Sequence, residues 1–146
     1  MNELTPAVFV EIWTATKADR ALEDPDLARF QKFMVLHEDL HPLWEKLVED
    51  PATSLEVEGE NMMLHVAMDA ATEAALESGK PEGLRGLFQA LTQAGFDEGR
   101  AFHVLSQAMM HEFILQAEQG KELGLDLFLN RATDYTGQAM RALKNE

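Results

Sequence analysis

The chain has no cysteine, and that one absence removes disulfides, thiolate zinc sites, thiol nucleophiles and iron–sulfur clusters together. Any metal chemistry must therefore use nitrogen and oxygen donors. Positive charge is scarce too: 12 Lys and Arg stand against 26 Asp and Glu, a formal net charge of -14. A surface of that sign repels phosphate backbones, so nucleic acid is a poor partner. The acidic residues are dispersed among apolar ones instead of forming a tail, which argues for a folded acidic chain over a disordered solvating one. No stretch approaches the roughly 20 apolar residues that span a bilayer. The opening MNELTP also lacks a basic segment followed by an apolar run, so a soluble, cytoplasmic chain without a membrane partner is expected. Val, Ile and Thr are sparse, and no segment shows the clean alternation of a strand.

What remains is helix. With 146 residues the chain is long enough to bury one core without disulfide or metal staples, so a metal would serve function more than folding. Thr5-Pro6 and Asp24-Pro25 each set a capping side chain before a proline suited to the first helical position. One helix is predicted from Pro6 to about Arg20, with Val8, Phe9, Ile12, Trp13 and Ala15 as its apolar stripe, and a second from Pro25 to about His37, with Leu27, Phe30, Phe33 and Met34 inward. Pro42 disfavours helical geometry at His41 and forces a restart, giving a short helix over about Pro42 to Val48. The run EDPATSLEVEG, Glu49 to Gly59, reads as the longest loop. Longer helices follow over about Glu60 to Ser78, Pro81 to Ala94, Glu98 to Gln119 and Leu125 to Leu143, with Gly79, Gly95 and Gly120 as stops and Asp97 as a cap. The expected fold is all-α, a compact bundle of about seven helices forming a single domain over residues 1–146. Methionine pairs Met62-Met63 and Met109-Met110, with Trp13 and Trp44, read as core filler and anchors.

The five histidines carry the chemistry. His37 and His41 are four apart, His65 stands four before Asp69, and His103 eight before His111. Residues at i and i+4 share a helix face roughly 5–6 Å apart, so His65 and Asp69 form a candidate ligand pair at the edge of the stripe Met62, Met68, Ala71 and Leu76. The bland alternative for that pair is a surface hydrogen bond or two solvated side chains. His103, Gln107 and His111 form a row beside Phe102, Leu105, Met109 and Phe113. His103 and His111 lie about 12 Å apart along the axis and cannot share one ion, whose imidazole bonds are near 2.0–2.1 Å. His103 is therefore kept as a candidate ligand and His111 as an outer or surface residue. His37 and His41 straddle a helix end; the bland account makes one a favourable partner of the helix dipole and the other an irregular cap. Other chemistry finds little support. Ser54, Ser78 and Ser106 have no strand-turn-helix context, and SGKPEGLRG lacks the preceding strand and Lys-Ser/Thr pair of a phosphate loop.

The segments HEDLH at 37–41, NMMLHVAMD at 61–69 followed by PEGLRGLFQAL, and AFHVLSQAMM at 101–110 before LQAEQG together resemble a bacterial family of small proteins known only as a domain of unknown function, the one numbered 1841. Its members carry H-P-E-Y-H, N-P-F-L-H-L-x-x-H and H-x-x-x-H-x-x-x-E in the same order at similar separations. The resemblance covers roughly Phe9 to Arg131. On it, His37, His41, His65 and His103 match, and Asp69 stands in place of a second histidine. Gly99 replaces the first histidine of the third motif, Gln107 its acidic residue, and Glu38 the proline of the first. A two-metal site implied by the fuller pattern would be reduced here to one ion or lost. The resemblance implies no activity. Hemerythrin-like and ferritin-like bundles offer an architectural analogy alone, because no run of H-x-x-x-E and H-x-x-x-H helices in their usual order is present.

Two functional readings follow. In one, the protein binds a transition-metal ion, iron, zinc, manganese or nickel, through His37, His41, His65, Asp69 and His103 in the bundle. In the other it is a non-catalytic interaction or structural module without metal, whose exposed helix faces meet a protein partner or a second copy. Neither names a reaction, substrate or catalytic residue.

Overall fold

The computed structural model describes residues 4–145. Met1 to Glu3, part of the opening stretch read above as lacking a leader, lie outside the described residues. Helix starts follow the local capping chemistry. Thr5 Oγ1 accepts from the Val8 amide at 3.3 Å and opens α1, Pro6–Lys17. Asp24 Oδ1 accepts from the amides of Asp26 and Leu27 at 2.8 and 3.3 Å and opens α2, Pro25–Leu36. Each cap satisfies amide donors that have no partner within the helix. α1 stops three residues before Arg20, because the backbone turns over at Asp19, where φ is +54.

The junction after α2 departs from expectation. A single 3-10 turn, Glu38–Leu40, leads into α3, His41–Glu49, and His41 itself is helical at φ -54 and ψ -43. Pro42 therefore does not hold His41 out of the helix. The proline occupies the first turn, where its missing N–H removes no intrahelical bond, and the preceding 3-10 turn delivers the chain in helical geometry. The loop from Glu49 also contains more order than its sequence indicates. β1, Glu56–Val57, pairs antiparallel with β2, Glu60–Asn61, in the register Glu56 to Asn61 and Val57 to Glu60. Glu58 and Gly59 make the turn with φ of +53 and +82, both central residues being left-handed as in a tight hairpin.

α4 spans Met62–Ser78, α5 Leu84–Ala94, α6 Glu98–Glu118 and α7 Leu125–Lys144. α5 begins three residues after Pro81, since Gly83 at φ +100 cannot continue a right-handed helix backwards. Asp97 Oδ1 accepts from the Arg100 amide at 2.8 Å and caps α6. Among the described residues, the fold is all-α apart from the two-stranded hairpin. Among the described residues, no helix is long and apolar enough to cross a membrane.

The chain divides into two compact units, Met1–Ala70 and Ala71–Glu146. In the first, α1 packs on α2 and α3 around Phe9, which stacks on Phe30 at 5.9 Å and lies 5.6 Å from Trp44. Ile12, Trp13, Met34 and Leu47 complete this buried cluster. In the second, α6 lies against α7 and α5 packs on both, burying Leu84, Leu91, Leu105, Phe128 and Ala132. The buried stripe of α6 is rotated from the expected row: Ala101, Leu105, Ala108 and Met109 lead on to Glu112 and Gln116, while Phe102 and Phe113 are only half-buried. A carboxylate in that stripe is tolerable because it is partnered. Glu112 accepts from Arg131 Nε on α7 at 2.5 Å and from Gln116 Nε2 at 2.7 Å.

Candidate metal centre

Asp69 lies in the first unit, on the buried face of α4, with its side chain 5 % exposed. A carboxylate there needs partners. Two come from imidazoles. His65, one helical turn before it, presents Nε2 at 3.4 Å from Asp69 Oδ2. His37, at the residue that ends α2, presents Nε2 at 2.9 Å from the same oxygen. The two rings meet edge to face with centroids 5.1 Å apart. His37, His65 and Asp69 each offer one donor atom, and all three atoms lie within 4.8 Å of one another.

A fourth residue, expected only as the start of a helix and not as part of the site, fixes the second ring. Glu60, on β2 just before α4, has Oε1 at 2.8 Å from His65 Nδ1. A carboxylate only accepts, so Nδ1 carries a proton and donates it, which fixes the ring with Nε2 turned toward Asp69. The signal for Glu60 was not readable from periodicity, because it precedes the helix and reaches His65 from the hairpin end.

His37 keeps its proton to a higher pH than the ordinary imidazole value of 6.5. The hydrogen bond to Asp69 raises it most, partial burial works against this, and the charges of Asp69 and Asp39 raise it further. While His37 holds its proton, the two form a hydrogen-bonded ion pair joining the end of α2 to α4.

His41 and His103 stand outside this group of donors. The 3-10 turn between His37 and His41 breaks the i, i+4 relation, and His41 Nε2 donates to the Val35 carbonyl at 3.0 Å while its ring lies 4.9 Å from that of Trp13. It caps the last turn of α2. His103 is exposed on α6, at a shallow depression shared with Phe96 and Arg100. His111, also exposed, has Nδ1 in hydrogen-bond contact with the Tyr135 hydroxyl at 2.5 Å.

The fold and this cluster define a small helical protein carrying two histidines and one buried carboxylate at metal-binding separation. Over residues 3–131 the chain matches the family Domain of unknown function (DUF1841), and it belongs to that family. No curated protein and no solved structure matches it.

Proposed function

We propose that the protein binds one transition-metal ion through His37, His65 and Asp69. Two neutral imidazoles and one carboxylate suit iron, zinc, manganese or nickel. The observation that carries this reading is the position of Asp69 Oδ2 at 2.9 and 3.4 Å from the two Nε2 atoms. Donors on one ion with bonds near 2.1 Å are about 3–3.4 Å apart when adjacent in octahedral or tetrahedral sites, so these pairs need little movement to admit it. The hydrogen bond from His65 Nδ1 to Glu60 adds the outer carboxylate that metal-bound histidines ordinarily have, which sets the tautomer and the ring direction. When bound, the ion supplies Lewis acidity; His65 and Asp69 hold it against α4, and His37 releases its proton to join them.

The competing reading is a structural network without metal, for which the His37–Asp69 hydrogen bond at 2.9 Å is sufficient reason by itself. Elemental analysis of the chain purified without a histidine tag, paired with thermal shift on adding each metal, separates the two. About one equivalent of metal, or a clear stabilisation by one of the four ions, supports the metal centre. Negligible content of every transition metal together with no thermal shift leaves only the structural network.

A further inference from the structure

The donor count leaves part of such an ion unclaimed by protein. Among the described residues, the group comprises three donors, and Glu60 is directed to the far nitrogen of His65 and away from the common point. A structural zinc site closes with four protein ligands, whereas an ion held by two histidines and one carboxylate retains open positions. Exposure locates the opening. The Asp69 side chain is 5 % exposed, that of His65 16 % and that of His37 30 %, so the imidazoles, His37 above all, are the members of the group that meet solvent.

Charge then selects the ligand. A divalent ion with one coordinating carboxylate keeps a single net positive charge, which favours an anion. Yet Glu60 lies against His65, and the negative charge of Asp39 acts on His37, so every further negative charge on a ligand is repelled. Resting on the metal reading above, we infer that the centre of His37, His65 and Asp69 takes a small, singly charged, bidentate oxygen donor of the 2-oxo-monocarboxylate or hydroxamate type. The ligand displaces solvent from two positions on the open side, and the protein donors stay in place. No bond within the ligand is made or broken in this step.

Cobalt(II) titrated into the full, untagged, metal-free chain reads both loading and coordination number from its visible absorption. The inference expects stoichiometric loading and the weak bands of five- or six-coordinate cobalt. Acetohydroxamate then shifts those bands saturably at one per metal, with cobalt still on the protein after gel filtration. Citrate, a trianion, acts more weakly by on the order of tenfold. An intense four-coordinate spectrum that acetohydroxamate leaves unchanged overturns the open face while the metal reading survives. Removal of cobalt by acetohydroxamate does the same, and citrate binding as tightly as acetohydroxamate overturns the charge selection. Failure of cobalt, zinc, nickel, manganese and iron to load overturns the inference together with the reading on which it rests.

Discussion

Replacing Asp69 by Asn keeps the shape of the side chain and removes the charge that His37 and His65 share. In the metal-free protein the wild-type carboxylate accepts from His37 Nε2 at 2.9 Å from a buried position. Hydrogen bonds to charged groups contribute about 1.5–3 kcal/mol, and solvent reaches His37, whose side chain is 30 % exposed, so the pair is better placed at about 1–2 kcal/mol. For a chain of this length that is a fall of roughly 3–6 °C in Tm. The sign of its pH dependence is fixed. His37 is raised above 6.5 in the folded state, chiefly by its hydrogen bond to Asp69. The ion-pair contribution is therefore fully present below 6.5 and fades as pH rises through the raised folded value. Urea unfolding of metal-free wild type and Asp69→Asn at about pH 6 and about pH 9 gives the larger loss at the lower pH. An equal loss at both, or a larger one at the higher pH, refutes the account of His37. Metal acts oppositely, since it competes with that proton: stabilisation by saturating ion, about 2.7 kcal/mol at a hundred times Kd, grows with pH in wild type and is lost in the variant.

Three further outcomes are expected. Glu60→Gln weakens metal binding by about 10–100-fold through loss of the outer carboxylate while changing metal-free stability by less than about 0.5 kcal/mol, read by competition with a chromophoric chelator and by urea unfolding. Glu112→Gln destabilises the protein by about 2–3 kcal/mol at neutral pH by breaking its pair with Arg131. Burial pushes the Glu112 carboxyl up, but the hydrogen bonds from Arg131 and Gln116 and the charge of Arg131 hold it below 4.5, so the difference between wild type and variant shrinks as pH falls through that depressed value. Asp97→Ala, which removes the cap on the Arg100 amide, costs about 1 kcal/mol in chemical denaturation.

The parts that were legible are those fixed by neighbours in sequence. Thr5, Asp24 and Asp97 cap helices because an oxygen two or three residues ahead of an amide needs no tertiary help. His65 and Asp69 share a face for the same reason. The hairpin escaped notice because strands of two residues, Glu56–Val57 and Glu60–Asn61, are too short to alternate, and the left-handed Glu58 in its turn is an unfavourable residue for that conformation. His37 and His41 straddle a helix end, as the proline after His41 indicated, and the 3-10 turn between them sends the two rings to different partners. That His37 meets Asp69, 32 residues on, is a product of packing. So is the rotation of α6 that buries Glu112, which depends on Arg131 arriving from α7. Glu60 fell between the two kinds of signal, local in sequence yet carried by a hairpin.

The most direct test of the metal centre is isothermal titration of zinc into the metal-free, untagged chain and into His37→Ala, His65→Ala and His103→Ala. The account predicts one site per chain in wild type and in His103→Ala, and its loss in both His37→Ala and His65→Ala while circular dichroism shows their helices intact. An unchanged site in either of those two variants contradicts it.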